Sequence, residues 1–451
     1  MILVSSYSVA ISSCQTLNAN TEYNLVSNIT NHNNDCFIFG GDNIVFNGNH
    51  FLIDGQSSGE AFTTNNNGRS NITIKDVFIN DFDEAFRIRN SDNFLLENIV
   101  STSNDNYGFR IGDANNGRRG CDNCIFRNIS LSDVGSQDGV FYELSSDVVF
   151  SNLSLTSIGN GNNDYGLYFN EVSNVDLDIV DIYYSRDTGI WFEDGNNLSA
   201  FDITINRTTN SERDAFTIRR ANLIEIENFE FYNIAGDLFD FDFNVDNVLV
   251  SNGFGTSNNQ NGFEFRYNVT NVLIDNVSLF GISRGLYCED DNVNSCENIS
   301  ISNMIINETT DDGIYVENAD HLVITNSIFK NIGNGGDQGI QMYRSSYVHI
   351  ENVSISGNIN EGIYGADEIH TSIFKNIFIN QTNQEGIELV NDAYSNYLEN
   401  ITIMQSLRDG IDITNLGHNT TIIGAKIYDV GNGDGIRISN SANNTYLEDI
   451  Y

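Results

Sequence analysis

Asp240, Asp242, Glu264 and Arg266 come nearest to the residue types a reaction centre needs. Charged residues alternate with phenylalanine in Phe239-Asp-Phe-Asp242 and again in Phe263-Glu-Phe-Arg266. A period of two sends the charged side chains to one face of two strands. With Asp246 close by, four carboxylates have the chemistry to hold a cation. The cation would acidify a proton beside a uronate carboxylate, and Arg266 would remove it, which is a lyase reaction. A solvated acidic face would use the same residues with no reaction at all, and both readings stay open.

A second set is aromatic. Tyr168, Trp191, Glu193, Arg219, Tyr287, Tyr315, Tyr343 and Tyr364 fall between the apolar positions of one recurrent strand. Aromatic faces beside hydrogen-bonding groups suit sugar rings, which are apolar on their C–H faces and polar at their edges. Cross-strand tyrosine pairs also stabilise a sheet without any ligand. Trp191, the single tryptophan, lies in the middle of the set and tilts the reading towards glycan.

A third set is acidic. Asp138, Asp187, Asp214, Asp237, Asp312, Glu361, Glu385, Asp409 and Asp434 stand at the position before a repeated glycine or just ahead of it. Stacked along one edge they would repel, which makes Ca²⁺ the one ion worth considering in a chain otherwise expected to have no cofactor. Solvated turn carboxylates are the favoured reading, because no Gly-Gly-x-Gly-x-Asp run occurs.

The element that must position all three sets is a repeated phrase. It reads Asp409-Gly-Ile-Asp-Ile413, Asp434-Gly-Ile-Arg-Ile438, Glu385-Gly-Ile-Glu-Leu389 and Asp312-Gly-Ile-Tyr-Val316. Copies recur at roughly 22–31 residues, the spacing of solenoids and arrays. About 15 turns are expected on that count, the first at Glu84-Ala-Phe86. Each turn carries three short alternating segments, as in Ile314–Glu317, Leu322–Ile324 and Ser327–Phe329. Segments this short with period two are strands with one buried face. The fold class is therefore all-β, a solenoid of stacked parallel ladders. Residues 1–13 read as an N-terminal arm or signal-peptide remnant, 14–70 as an irregular N-terminal cap, and 71–451 as the repeats.

Asparagine recurs ahead of the third segment: Asn98, Asn128, Asn152, Asn228, Asn276, Asn352, Asn376 and Asn400. Asparagine tolerates the left-handed conformation of a sharp turn, and one per coil would form an inward-facing ladder. The glycine phrase, the asparagine turn and the coil length together resemble right-handed parallel β-helix repeats, as in pectate lyases, polygalacturonases and NosD-like carbohydrate-binding proteins. The opening from Cys14-Gln-Thr-Leu-Asn18 to Asp42-Asn-Ile-Val45 resembles surface-exposed members in archaea. The resemblance implies the fold more than the activity. Polygalacturonases combine Asn-Thr-Asp, Asp-Asp, Gly-His-Gly and Arg-Ile-Lys. Here Asp311-Asp312 matches the paired acid, but Gly417-His418 runs on to Asn419 and Arg437-Ile438 to Ser439.

Composition narrows the setting. A formal net charge of −41 repels nucleic acid and anionic lipid. No apolar run is long enough to span a membrane. Proline is absent, which suits ladders that spend every backbone N–H, although biased genome composition also contributes. The six cysteines form three local pairs, Cys14/Cys36, Cys121/Cys124 and Cys288/Cys296. Local even pairing points to disulfides and to an extracellular or cell-surface protein.

Among Asn-x-Ser/Thr sequons, Asn206, Asn307 and Asn380 are expected in open outer turns. Asn28, Asn71, Asn197, Asn268, Asn419 and Asn443 are intermediate, and Asn128, Asn152, Asn276, Asn298, Asn352 and Asn400 are expected to point inward, closed to a glycan. The chain ends at Tyr446-Leu-Glu-Asp-Ile-Tyr451, inside a third segment, so two readings stay open: the native chain continues past 451, or another subunit stacks on that end by self-association in a filament or coat. The function expected is a non-catalytic structural or adhesive role on glycosylated protein. A glycan-binding module, or a polysaccharide lyase or hydrolase, is the alternative.

Overall fold

The computed structural model describes residues 7–161, 163–209, 213–289, 296–333, 336–440 and 442–451. Every strand ladder is parallel, and the described residues contain no α-helix, only a 3₁₀ turn at Ala114–Asn116. About 18 turns of β-solenoid result. The excess over the expected count comes from residues 7–70, whose strands already join the ladders. Tyr7–Ile11 pairs with Thr21–Leu25, that strand with Ile44–Asn47, and that with Ser70–Asn80. The first six residues, where a signal-peptide remnant was expected, lie outside the described ones.

The chain divides into two compact units, residues 1–230 and 231–451. In the first, the inward residue of successive first strands is Phe37, Phe62, Phe86, Phe109, Val140, Leu167, Ile190 and Phe216, in unbroken register. The rings of Phe62 and Phe86 stack at 5.0 Å. In the second unit the same slot holds Phe239, Phe263, Leu286 and then Ile314, Ile340, Ile363, Ile387 and Ile411. All of these are fully buried or nearly so. Each removes roughly 1.5–3 kcal/mol worth of apolar surface from water.

Several segments expected as separate strands run on as one. Val140–Ile158 stays in the ladder through all three faces of its turn. Single residues with left-handed φ make the corners: Leu144 (51°), Asp147 (58°), Asn152 (57°) and Ser157 (57°). One such residue redirects the chain without breaking the ladder, and asparagine bears that conformation at least cost. This accounts for much of the asparagine content. The expected ladder forms, with Asn128 Nδ2 donating to Asn98 Oδ1 and Asn152 to Asn128, both at 2.9 Å. It lies at an exposed corner rather than facing inward. Asn298 belongs to a neighbouring ladder, donating to Asn271.

The repeated glycine is a matter of space. A Cβ on Gly313 would lie 2.4 Å from the carbonyl oxygen of Gly339, one turn on. Ala61, Ala85 and Ala215 stand in the glycine slot at three turns, and one turn departs further and shows why the slot is kept small. Leu238 occupies the glycine slot, and Gly255 replaces the apolar residue that would collide with it; a Cβ there would meet Leu238 Cδ1 at 2.3 Å.

Three disulfides join Cys14–Cys36, Cys121–Cys124 and Cys288–Cys296. Cys14–Cys36 spans 22 residues. Its removal by a Cys14→Ser/Cys36→Ser pair is expected to cost about 3 kcal/mol through the freed unfolded chain. A denaturant midpoint unchanged by the double substitution would contradict that.

Candidate functional site

The aromatic residues assemble as two tracks on the outward side of the first strands, one in each unit. In the first unit Phe141, Tyr168 and Trp191 are direct register partners. The Phe141 and Tyr168 rings stack at 5.2 Å, and Tyr165 bridges Tyr168 and Trp191 at 5.3 and 5.1 Å. The Arg219 guanidinium lies 5.5 Å over Trp191, and the Tyr168 hydroxyl donates to Glu193 Oε1 at 2.9 Å. In the second unit Tyr287, Tyr315, Tyr343 and Tyr364 follow at centroid distances of 5.3, 5.9 and 5.9 Å. Their planes are tilted by 39°, 51° and 69°, so the rings do not close into a face-to-face pile. Arg284 sits 4.5 Å over Tyr287. Burial pushes the Tyr364 hydroxyl up to about 12, so it remains a neutral donor.

Sequence reasoning missed Tyr107, Phe141, Tyr165 and Arg284, which belong to the same faces. Tyr107, Tyr165 and Arg284 each stand immediately before a repeated glycine, where most turns place an acid. That exchange of residue type was the available signal.

The lyase candidates are brought together as expected: Asp240 pairs with Glu264 and Asp242 with Arg266 on adjacent turns. Arg266 donates to Asp240 Oδ2 at 2.6 Å. Burial opposes the Arg266 charge, but Asp240, Glu264 and Asp242 outweigh it and hold the guanidinium above the ordinary arginine range. An arginine held charged is a poor proton acceptor. Asp246 opens a different strand, Val245–Ser257, where Thr270 and Asn271 donate to it.

The acids ahead of the glycines are not solvated, which corrects the expectation. Asp138, Asp187, Asp312, Glu361, Glu385 and Asp409 are buried, while Asp434 is exposed. Several cap backbone of the next turn: Tyr165 N–H donates to Asp138 at 2.7 Å, Gln338 N–H to Asp312 at 2.7 Å and Asp434 N–H to Asp409 at 2.6 Å. A turn that passes under the next coil leaves an N–H needing an acceptor, and the carboxylate supplies it. Burial pushes Asp312 up to about 7 despite that bond. Among the described residues three carboxylate triads have oxygens within 4.8 Å of one another: Asp311/Asp312/Asp337, Glu361/Glu385/Glu388 and Glu385/Asp409/Asp412. Glu385 Oε2 and Asp412 Oδ1 are buried with no hydrogen-bond partner, so these are the residues that would hold a divalent cation.

A polar cleft of about 320 Å³ in the first unit was absent from the sequence reading. Asp35, Glu60, Arg87, Arg89, Asp113 and Arg118 line it. Glu60 and Glu84 are register partners at the start of adjacent first strands. Nothing in the repeat phrase flags the arginines, and the wall carrying Arg118 is an excursion from the coil.

The sequons divide differently from expectation. Asn206, Asn307 and Asn380 lie within strands Asn196–Thr208, Ile305–Thr309 and Ile373–Thr382 and are half-buried, not in open outer turns. Asn28, Asn71, Asn197, Asn419 and Asn443 are exposed, and Asn268 is half-buried; Asn128, Asn152, Asn276, Asn298, Asn352 and Asn400, expected to point inward, are exposed as well, because the ladder turn lies at an outer corner.

Residues 338–449 match the family model described as the right-handed beta helix region. No curated protein matches the chain. Among solved structures it is similar to the A-module of the Azotobacter vinelandii mannuronan C-5 epimerase AlgE6, at 11% identity and a TM-score of 0.33, covering 98% of this chain and 91% of that one. It is also similar to the alginate lyase AlyF-OU02, solved in complex with G6, at 9% identity and 0.34, covering 69% and 81%. The tailspike of E. coli bacteriophage HK620, in complex with a pentasaccharide, follows at 9% and 0.28, covering 98% and 74%. Likenesses this distant concern the fold and carry no argument about activity.

Proposed function

We propose that the protein is an extracytoplasmic, non-catalytic β-helix with an adhesive role, and that it adheres by binding glycan along the aromatic faces of its first strands. The observation that carries this reading is the run of Tyr287, Tyr315, Tyr343 and Tyr364 with Arg284 beside it. The tilted rings offer apolar surface on successive turns, and their neutral hydroxyls and the guanidinium offer edge hydrogen bonds. Three disulfides support an oxidising compartment. The ion pair that keeps Arg266 charged favours binding over bond cleavage there. The exposed sequons, Asn28, Asn71, Asn197, Asn419 and Asn443 together with Asn128, Asn152, Asn276, Asn298, Asn352 and Asn400 at the ladder corners, are the places an N-glycan would occupy, which intact mass of the native protein reads directly.

The test is a glycan array followed by titration of the best ligand, read by Trp191 fluorescence. Tyr315→Ala is expected to weaken binding at the second unit's track, and Trp191→Ala at the first unit's, each about tenfold without changing the melting temperature, the loss of about 1.4 kcal/mol that one aromatic contact supplies. For Trp191→Ala the readout is calorimetry. Binding indifferent to both substitutions, or absent across the array, overturns the proposal.

A further inference from the structure

Away from the first-strand faces, one stretch of the outer surface of the first unit combines exposed apolar side chains with unpaired negative charge. Three strands build it, each hydrogen-bonded to the next: Leu167–Ser185, Asn196–Thr208 and Asn222–Ile234, the last belonging to this unit through Glu230. Ile179, Tyr183, Phe201 and Leu223 stand out from it at 43%, 62%, 40% and 49% exposure. Asp178 and Phe201 are direct register partners, so apolar and charged groups interleave.

Two of these apolar residues sit where the coil favours a polar one. Ile179 makes a left-handed corner at φ 58°, and the turns on either side hold that corner with Asn152 (57°) and Asp202 (54°). Leu223 makes another at 59°, immediately before an inward Ile224, as Asn174 (55°) precedes Val175 and Asn197 (61°) precedes Leu198. Asn174 donates to Asp147 Oδ1 and Asn197 to Asn174 Oδ1, each at 2.9 Å. Neither isoleucine nor leucine can make such a bond, and a left-handed φ on a β-branched residue is a marked outlier. At both corners the ladder bond is absent, the backbone is strained, and the side chain put in its place faces water. A contact that covers the side chain accounts for all three.

Charge identifies the occupant. The three strands carry eight acids and a single base, Arg207, which lies over the Tyr184 ring. Among the described residues Asp176, Asp178, Asp181, Asp202, Glu225 and Glu227 form no ion pair, whereas acids of the first-strand faces do, as Asp240 with Arg266 and Asp187 with Arg213. A second copy of a chain with net charge −41 would be repelled from such a face, as would nucleic acid and anionic lipid. We infer that this face docks a basic protein partner, through a segment in which lysine or arginine alternates with apolar side chains. The partner's cations meet the unpaired carboxylates, and its apolar groups cover Ile179, Phe201 and Leu223. A polyamine would match the charge and leave the apolar residues wet.

Calorimetric titration of the whole chain at about 150 mM salt, where long-range attraction between exposed charges is screened, tests the assignment. The probes are an octapeptide of alternating lysine and leucine, an octapeptide of alternating lysine and serine, and spermine. The lysine–leucine peptide is expected to bind about tenfold more tightly than either of the others, since only it buries apolar surface. Ile179→Asn with Leu223→Asn, which returns asparagine to both corners, is expected to raise the melting temperature and to weaken peptide binding about tenfold. A merely structural role would move the first readout and not the second. Phe201→Ser, at an exposed strand position, should weaken binding about fivefold with an unchanged melting temperature. Tyr315→Ala and Trp191→Ala should leave peptide binding intact, so failure here and failure of the glycan-binding proposal are separable. Equal affinity for the lysine–serine peptide or for spermine would overturn the inference, as would binding indifferent to Phe201→Ser and to the corner pair. A dimer in sedimentation that Phe201→Ser abolishes would assign the face to a second copy and overturn it too.

Discussion

Gly386→Ala is expected to destabilise the protein by about 3 kcal/mol, the upper range for forcing atoms into a packed interior. The added Cβ would lie 2.6 Å from the Gly410 carbonyl oxygen and 2.6 Å from Ile403 Cδ1. Neither can retreat cheaply. The carbonyl accepts from Ile387 N–H at 3.0 Å in the same ladder, and Ile403 is itself fully buried. Backbone strain plays no part, since Gly386 has no left-handed φ. Gly435→Ala is the control: it occupies the same position of the phrase, and a Cβ there meets nothing within 4 Å. It should shift stability by less than about 0.5 kcal/mol. Urea melts of the two variants decide it, and equal losses would contradict the steric account.

Stability is also expected to fall as pH rises from about 4.5 to 7.5, the reverse of the usual behaviour of paired carboxylates. Burial raises Glu388 to about 7, with Glu385, Glu361 and Asp412 adding to it, and raises Asp412 to about 6. Glu60 and Asp312 also stand at about 7, again mainly through burial. In the unfolded chain these groups lose their protons near 4. Between the two values the folded state binds more protons than the unfolded one. Its advantage is complete below the unfolded value and is lost as pH climbs through the folded ones. Summed and discounted for solvent screening, the loss is on the order of a few kcal/mol. Asp113, Asp194 and Asp246, held below the ordinary value, act only at lower pH and do not offset it. Calorimetric melts should show the highest melting temperature near pH 4–5, and Glu388→Gln with Asp412→Asn should flatten the fall. A melting temperature that rises to pH 7.5 would refute this.

Both predictions rest on features that differ in how far the sequence revealed them. The glycine ladder was legible because a steric demand repeated along the solenoid leaves glycine, or at three turns alanine, at the same interval. Only the compensated exception, Leu238 with Gly255, needed coordinates, since the two are partners across a turn rather than along a period. The acidic positions were legible as a series but misread as solvated. Whether a turn carboxylate meets water or a backbone N–H depends on how the next coil passes over it, and no residue type records that.

By itself, then, the sequence determined the parallel solenoid, its inward and outward residues and its asparagine corners. All follow from local periodicity: alternation along a strand, and one repeat interval that sets the register between turns. Tertiary structure decided which outward residues share a site. Asp35, Glu60, Arg87, Arg89 and Arg118 meet in one cleft because coil lengths vary and residues 112–120 leave the coil, bringing Arg118 to Asn66 across 52 positions. Such a meeting is set by the irregular segments, and irregular segments have no period to read.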